Sequence, residues 1–341
     1  MRSAQAVDNQ HGGLEVGAGD YRLRRREEAM GSVFQIILDG DRPEVELRAL
    51  IESAFTDVVH PLEMQLSHYR PSSDIGWINS RAHREPVPVE PRLFELLVEC
   101  SELTSLTRGA FDITVGPLIR CWGFYRKDGR VPPSEEISRA LDVVGMHHVI
   151  LDPEARTVAF DREGVELNLG GIGKGYVVDR VVEYLRHHGA DCALAESGGS
   201  TIYALGQPPI DPEGWRLGIR PAGQDTERLG AVHLVDQALS TSGDFRRFFV
   251  EDGVRYGHIV DPRSGWPAQG VRAACSITSS ATRADALSTA FVVLGPEDTE
   301  ALCSNNGECA LMMTLDEEDS PEINQIGCEP LERTRPPDAG G

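Results

Sequence analysis

A glycine-rich run, NLGGIGKG, extends from Asn168 to Gly175 and precedes a segment with helical spacing of its apolar residues. Glycines let backbone amides approach an anion closely, and the start of a helix favours negative charge, so this run could hold a phosphate group. Lys174 would add a positive charge. The run is neither a P-loop nor a dinucleotide-binding fingerprint, because Gly175 follows the lysine and Tyr176 stands where the fingerprint needs a glycine. A tight turn between a strand and a helix is the alternative explanation.

Two oxygen-bearing side chains, Asp285 and Thr289, stand four residues apart in the sequence RADALSTA. If this segment is a helix, both side chains lie on one face, about one turn apart. A carboxylate and a hydroxyl are hard oxygen ligands of the kind that Mg²⁺ takes in proteins, where water and phosphate oxygens usually complete its shell. The alternative is that Asp285 only caps the helix or offsets its dipole.

A histidine followed by a turn signal occurs in the sequence GHIVDPRSG. His258 could serve as a general base near neutral pH. The alternative is that the pair Asp261-Pro262 only forms a turn and that His258 is a half-buried, hydrogen-bonded residue. The glycine- and hydroxyl-rich segments 109–117 and 240–244 are further loop candidates, which taken alone are more typical of structure than of chemistry.

The overall composition limits the classes of function. The chain has 341 residues, 40% hydrophobic and 26% charged, which is ordinary for a globular protein of one large domain or two. Its 33 basic and 54 acidic residues give a formal net charge of −21, which disfavours nucleic acid and anionic membranes as partners. No apolar run could span a bilayer and the N-terminus lacks the apolar core of a signal peptide, so we expect a cytoplasmic protein without a membrane anchor. The seven cysteines are scattered and are expected to be thiols rather than a metal site or a disulfide framework.

Strand and helix patterns alternate along most of the chain and must position these residues. Helical spacing of apolar residues predicts helices over 44–64, 91–107, 176–187 and 284–293. Apolar and β-branched runs predict strands over 32–38, 148–151, 157–160, 193–195, 201–205, 215–220, 231–240, 272–278 and 309–315. Strands separated by turns, with few helices between them, predict an α+β fold. We expect 1–20 to be disordered, 21–315 to form the domain, and 316–341 to be an acidic, disordered tail.

Several of these segments belong to an ordered series of motifs. The series consists of MGS from Met30, SHY and SDIGWIN within 67–79, GAFDITVGPL from Gly109, WGF from Trp122, NLGGIGKGYVVD from Asn168, TSG from Thr241, HIVDPRSG from His258 and ADALST from Ala284. In this order the motifs resemble those of the FAD:protein FMN transferase family, also called the ApbE family. The resemblance covers about residues 29–295 and is far more specific than any single motif.

The resemblance implies an α+β fold of mixed sheets with flanking helices, in which FAD lies in a cleft between two packed lobes. It implies an enzyme that needs Mg²⁺ and moves the FMN half of FAD onto a Ser or Thr hydroxyl of an acceptor flavoprotein, with release of AMP. By their positions in the motifs, the residues of the FAD site would be Met30, Tyr69, Ala110, Phe111, Asp112, Asn168, Lys174 and Ile259. The metal ligands would be Asp285, Thr289 and the carbonyl oxygen of Gly171, and His258 is the candidate catalytic base.

Three residues depart from the usual pattern of that family. Asn168 stands where Asp is usual, and Glu196 and Ser200 stand where Asn and Asp are usual. The missing carboxylate at position 168 would weaken cation binding, whereas Glu196 would restore a charge nearby. Two alternatives therefore stay open, an FAD pyrophosphatase that releases FMN and AMP, and a degenerate, non-catalytic FAD-binding protein.

Overall fold

The structure, a computed structural model, describes residues 15–16, 23–125, 129–209, 211–219, 230–243, 247–315 and 321–328. Within these ranges the strands are β1 (Glu15–Val16), β2 (Leu23–Ala29), β3 (Ser32–Asp39), β4 (Val87–Pro88), β5 (Val149–Asp152), β6 (Thr157–Phe160), β7 (Cys192–Ser197), β8 (Thr201–Leu205), β9 (Trp215–Ile219), β10 (Gly230–Leu234), β11 (Gln237–Gly243), β12 (Phe248–Glu251), β13 (Val254–Gly257), β14 (Val271–Thr278), β15 (Cys309–Leu315) and β16 (Pro321–Ile326). The helices are α1 (Glu44–Ala54), α2 (His60–Leu66), α3 (Asp74–Arg81), α4 (Pro91–Leu106), α5 (Gly116–Cys121), α6 (Ser134–Leu141), α7 (Gly173–His187) and α8 (Ala281–Asn306). A π-helical turn, Phe55–Val59, joins α1 to α2.

The largest element is a sheet of eight strands in the order β16-β15-β14-β11-β8-β7-β3-β2. Smaller sheets consist of β1-β9-β10 and β4-β6-β5, and β12 pairs with β13 as a hairpin. The expected α+β class is confirmed. The described pairings are antiparallel rather than mixed.

The main sheet is covered on both faces. On β3, Phe34 and Ile36 are fully buried in a core shared with the helices, whereas Ile37 packs on the other face with Trp215 and Leu217. Side chains alternate between the faces of a strand, so a strand that is buried on both faces reads as a continuous apolar run. Burial of each apolar side chain of this size contributes about 1.5–3 kcal/mol to the stability of the folded protein, so the sheet is a rigid support.

The helix α8 is longer than the segment 284–293 that the spacing predicts. It starts after Ser280, whose side chain accepts a hydrogen bond from the backbone N–H of Arg283. A kink at Gly295, with φ of 75°, and the following Pro296 interrupt the helix before it continues to Asn306. The residues of chemical interest therefore lie on a regular first part of this helix.

Two predicted segments have a different structure. The predicted strand over 231–240 is two strands in different sheets, β10 and β11, because the chain turns at Asp236 with φ of 51°. The predicted loop over 240–244 belongs to β11 as far as Gly243, and residue 244 lies outside the described residues. Local periodicity cannot distinguish one long strand from two short strands that pair with different partners.

The two chain ends also differ in part from the expected disorder. Within the predicted tail, Pro321–Ile326 is a strand that pairs with β15, so the expectation is wrong for these residues. Glu15–Val16 pairs with β9, and the rest of 1–20 lies outside the described residues. The division of 21–315 into two lobes stays a prediction.

A disulfide joins Cys309 to Cys328, so the expectation of thiols is wrong for this pair. Cys100, Cys121, Cys192, Cys275 and Cys303 are free. Disulfides are rare in the reducing cytoplasm, so the pair does not support the cytoplasmic expectation. Among the described residues, no helix combines the length and the apolar character that crossing a membrane requires.

Candidate functional site

Asp285 lies in the first part of α8 and is only 1% exposed. Its Oδ2 accepts a hydrogen bond from the backbone N–H of Gly175 at 3.0 Å, and its Oδ1 lies 3.4 Å from Nζ of Lys174. The hydroxyls of Thr201 and Ser240 donate to the same Oδ1 at 3.3 and 3.2 Å. Burying an ionised carboxylate is costly unless opposite charge and donors surround it, and these four groups supply both. Asp285 is therefore a buried and oriented carboxylate.

Thr289 lies one turn after Asp285, beside the glycine loop. Its Oγ1 donates to the backbone carbonyl of Asp285 at 3.2 Å and lies 3.0 Å from Oγ of Ser242. A Cβ atom placed on Gly171 would lie 3.3 Å from this Oγ1 and 3.5 Å from the ring of Phe111. The structure therefore brings together the three predicted metal ligands, Gly171, Asp285 and Thr289. The side-chain cap of α8 is Ser280, so the alternative role of Asp285 as that cap is excluded.

The donors at this point suit a hard divalent cation. The carboxylate of Asp285, the hydroxyl of Thr289 and the backbone carbonyl of Gly171 offer only oxygen atoms, which is the ligand set that Mg²⁺ prefers. Lys174 shares Oδ1 of Asp285 with two hydroxyls at 3.2–3.4 Å, longer than the strongest charge-assisted bonds. The residues present therefore fit the ion that the sequence predicts.

Four hydroxyls that the sequence motifs do not predict surround Asp285 and Thr289. Thr201 and Ser240 lie 2.9 Å apart, as do Ser242 and Ser288, and Ser288 donates to the carbonyl of Asp285 at 3.0 Å. Ser240 and Ser242 face the same way because side chains alternate along β11. The sequence signal for these two side chains is a serine at every second position, which is typical of a strand. The glycine and hydroxyl content of 240–244 favours a loop instead.

Asn168 shapes the start of the glycine loop. Its Oδ1 accepts a hydrogen bond from the backbone N–H of Gly170 at 2.7 Å, and its Nδ2 donates to the hydroxyl of Tyr125 at 2.7 Å. The helix α7 begins at Gly173, where a Cβ atom would lie 3.9 Å from the terminal methyl group of Met30. The loop is thus a tight turn into a helix, and Met30 lies beside it. The N–H groups of Gly170, Gly173 and Gly175 donate to Asn168, Leu169 and Asp285, so these three amides hold the turn itself rather than an anion.

Ala110, Phe111 and Asp112 lie in the connection from α4 to α5, and all three are buried. Oδ1 of Asp112 accepts hydrogen bonds from the backbone N–H and the hydroxyl of Thr114 at 2.8 and 2.6 Å, and Oδ2 accepts one from the N–H of Met146 at 2.9 Å. Burial raises the pKa of the Asp112 carboxyl, and these hydrogen bonds oppose the rise. The described bonds of Asp112 are thus internal to the protein and hold the loop that presents Phe111.

Three rings cluster near the glycine loop. The centroid of His68 lies 4.0 Å from that of Tyr69 and 5.4 Å from that of Tyr125, and Tyr69 is 60% exposed. Burial and the charge of Arg247 lower the pKa of His68 to about 4, so its imidazole is neutral near pH 7. Tyr125 joins this cluster to Asn168 through the hydrogen bond described above. Tyr69 belongs to the FAD site that the resemblance implies, and His68 and Tyr125 extend its aromatic surface.

His258 follows β13 and contacts Arg247 twice. Its backbone N–H donates to the carbonyl of Arg247 at 3.0 Å, and its Nδ1 lies 3.2 Å from the same oxygen. A carbonyl only accepts, so this contact assigns a proton to Nδ1. Ile259 packs against the main core. The hydrogen bond that the alternative explanation requires is therefore present.

A second group of possible metal ligands lies elsewhere in the fold. One ligand atom each of Asp211, Glu213 and His233 falls within 4.8 Å of the others. The group lies on or beside β9 and β10, whose sheet covers the face of the main sheet opposite the helices. The side chain of Glu213 is 76% exposed, which is typical of surface carboxylates that hold no ion.

The chain is similar to known proteins over most of its length. The model of the ApbE family matches residues 30–313. A relative from Treponema pallidum, named FAD:protein FMN transferase, is 34% identical over 85% of this chain and 84% of its own. The crystal structure of the ApbE protein from Thermotoga maritima has a TM-score of 0.80 at 31% identity and covers 89% of this chain and 96% of its own. A structure of a histidine-to-glycine mutant of the flavin transferase ApbE from Vibrio cholerae has a TM-score of 0.78 at 28% identity. It covers 89% of this chain and 97% of its own.

Proposed function

This chain belongs to the ApbE family, and on that basis we propose that it is an FAD:protein FMN transferase that depends on Mg²⁺. The reaction moves the FMN half of FAD onto a Ser or Thr hydroxyl of an acceptor flavoprotein and releases AMP. Nucleic acid is not a partner in this proposal, in keeping with the net charge of −21.

The observation that carries the proposal is the convergence of oxygen donors beside the glycine loop. Asp285 and Thr289 on α8 come together with the backbone of Gly171 in the loop, and Lys174 on α7 adds a positive charge 3.4 Å from the carboxylate. A pyrophosphate carries negative charge that must be offset before its phosphorus is attacked. Bound Mg²⁺ would supply that offset, with Gly171, Asp285 and Thr289 as its protein ligands. Lys174 would hold a further phosphate oxygen.

The candidate base is His258, whose Nδ1 lies 3.2 Å from the carbonyl oxygen of Arg247. In the proposed step the acceptor oxygen forms a bond to the phosphorus of the FMN half while its proton passes to Nε2. The bond between that phosphorus and the bridging oxygen breaks, and AMP leaves with the bridging oxygen. A positioned base of this kind contributes about 10²–10⁴-fold to the rate.

The FAD site is proposed to include Met30, Tyr69, Phe111 and Ile259, which offer apolar surface. Ala110 and Asp112 support it from within their loop. Asn168 contributes through its hydrogen bond to the loop at Gly170. Aromatic walls favour the flat rings of a flavin, because stacking adds to the gain from burial.

The test uses purified protein, FAD and Mg²⁺, with and without a flavoprotein whose flavin is held on a Ser or Thr. We expect the acceptor to gain the mass of one FMN and one AMP to appear for each adduct. The acceptor with its Ser or Thr replaced by Ala is the matched control, and it should remain unmodified.

The same experiment separates the two alternatives. A pyrophosphatase releases FMN and AMP at the same rate with or without the acceptor and forms no adduct. A non-catalytic FAD-binding protein leaves FAD intact. Either result would contradict the proposed transfer.

A further inference from the structure

Asp179, on α7, binds the start of α8. Its Oδ1 accepts a hydrogen bond from the backbone N–H of Ala281 at 2.8 Å. Its Oδ2 accepts three more, from the hydroxyl of Ser280 at 2.8 Å and from the N–H and hydroxyl of Thr282 at 2.8 and 2.6 Å. The first N–H groups of a helix have no partner within it, and a carboxylate there also complements the helix dipole. The side chain of Asp179, on a neighbouring helix, therefore accepts hydrogen bonds from the unpaired N–H groups at the start of α8.

A second contact between the two helices lies one turn away. Gly175 precedes Asp179 by four residues, and its backbone N–H donates to Oδ2 of Asp285 at 3.0 Å. Asp285 in turn follows Ala281 by four residues. A Cβ atom on Gly175 would overlap the carbonyl of Ala281 and would lie 2.8 Å from Cβ of Asp285, so the helices touch closely here. The helix α7 thus holds α8 at two points that are one turn apart on each helix.

We propose that Asp179 is a positioning residue for the metal site. The inference rests on the proposed function, because Asp285 and Thr289 are the ligands that it orients. Asp285 begins the second turn of α8, immediately after the turn that Asp179 anchors. When the anchor is lost, the first turn is free to fray, and the carboxylate of Asp285 in the next turn loses part of the support that fixes its position.

A polar cavity of about 150 Å³ adjoins these hydrogen bonds. Its lining includes Asp179, Ser280 and Thr282 together with Glu99 and Arg180. A polar cavity of this size can hold water, which can bind the N–H groups that a shortened side chain releases. The Asp179→Ala variant is therefore expected to fold, with a less fixed start of α8.

The experiment measures the binding of Mn²⁺, a paramagnetic substitute for Mg²⁺, by electron paramagnetic resonance in the presence of saturating FAD. We expect Asp179→Ala to weaken Mn²⁺ binding about tenfold, which is the effect of a lost helix cap on an equilibrium constant. Asp179→Asn should recover part of the loss, because its amide oxygen still accepts hydrogen bonds. FAD affinity of the metal-free protein should stay within about twofold of wild type, since the anchor contacts no predicted flavin residue.

The matched control is Glu90→Ala. Glu90 caps α4 by accepting a hydrogen bond from the N–H of Leu93 at 2.9 Å, and α4 carries none of the predicted ligands. We expect this variant to melt at a lower temperature and to bind Mn²⁺ within about twofold of wild type. If Glu90→Ala weakens Mn²⁺ binding as much as Asp179→Ala does, the effect comes from general destabilisation, and the inference is overturned.

Asp285→Ala serves as the reference for the metal site itself. If this variant loses Mn²⁺ while Asp179→Ala binds it as tightly as wild type, only the positioning role is wrong. If Asp285→Ala also binds Mn²⁺ normally, the metal assignment in the proposed function is wrong, and the positioning role is wrong with it. If Asp179→Ala does not fold, the comparison of Asp179→Asn with wild type decides, and unchanged binding overturns the role.

Discussion

The helix pair α7–α8 and the rim of the candidate site (His68, Tyr69, Arg247 and His258) hold their functional side chains in different ways. On the helix pair, Asp285 is 1% exposed and accepts hydrogen bonds from a backbone N–H, two hydroxyls and an ammonium group. On the rim, Tyr69 is 60% exposed and packs on His68, while His258 contacts a backbone carbonyl.

This difference matches the two kinds of ligand that the proposed reaction needs. A small ion binds best to ligands that are fixed before it arrives, because no ordering cost is left to oppose binding. An acceptor protein has to approach from solvent, so the groups that meet it must be exposed. Changes on the helix pair should therefore act on metal binding, and changes on the rim should act on the step that involves the acceptor.

The largest effect is expected for Asp285→Ala. The variant loses the one charged side chain among the predicted metal ligands, and a metal supplies several kcal/mol to such a reaction, so transfer should fall by about 10³-fold or more. Rates measured across a range of Mg²⁺ concentrations would check this, with EDTA abolishing wild-type activity and excess Mg²⁺ restoring it. Full activity of the variant at ordinary Mg²⁺ concentrations would refute the metal assignment.

The next effect concerns the rim. We expect His258→Ala to slow single-turnover transfer by about 10²–10⁴-fold while FAD affinity and melting temperature change little. If His258 only holds its turn, rate, affinity and stability will fall together. A rate within about threefold of wild type would show that His258 is not the base. It would also contradict the assignment of the acceptor step to the rim.

The helix-pair region could be largely predicted from sequence, and the surroundings of its ligands could not. The spacing of Asp285 and Thr289 is local, so a helical pattern is enough to place both on one face. The hydroxyls of Thr201 and Ser240 reach Asp285 only because β8 and β11 are neighbours in the sheet, more than thirty residues apart in the chain. Pairing between distant strands leaves no periodic signal in either strand.

The same reasoning explains the correct and incorrect parts of the fold. The prediction of a helix over 91–107 is confirmed as Pro91–Leu106, because Pro at the start and apolar spacing act locally. The strand β16 and the disulfide between Cys309 and Cys328 depend on a return of the chain to β15. A charged, proline-bearing segment gives no local sign of such a return.

A smaller effect is expected from the titration of His68. Its pKa is about 4 in the folded protein and near the ordinary 6.5 when unfolded. Between these values the unfolded chain binds more protons, so stability is fully present above pH 6.5 and is lost as the pH falls towards 4. We expect this loss to reach up to about 2 kcal/mol, since the site is partly open to solvent.

The measurement compares the free energy of unfolding between pH 7 and pH 4 in wild type, His68→Asn and the exposed-site control His187→Asn. His68→Asn should lose less stability on acidification than wild type, and His187→Asn should follow wild type. Parallel curves for all three proteins would show that His68 is not the group that makes the rim sensitive to acid.

The smallest effect, and the sharpest test of the comparison, is expected for Asn168→Asp, because this position joins the two regions. Asn168 bonds to Gly170, next to the predicted metal ligand Gly171, and to Tyr125, whose ring lies 5.4 Å from that of His68 in the rim. Aspartate keeps an acceptor for the N–H of Gly170, and the hydroxyl of Tyr125 can donate to it in place of the lost amide.

The added negative charge should attract the cation, so we expect the Mg²⁺ concentration for half-maximal transfer to fall about two- to fivefold at saturating FAD. The carboxylate of Glu196 accepts a hydrogen bond from Gln35 at 2.9 Å on the side of β3, so we expect its charge to act less on the cation than a charge at position 168. Glu196→Gln is the matched control, and its Mg²⁺ dependence should stay within about twofold of wild type. If Asn168→Asp needs the same or a higher Mg²⁺ concentration for half-maximal transfer, position 168 contacts the flavin side alone. It would then not connect the helix pair to the rim.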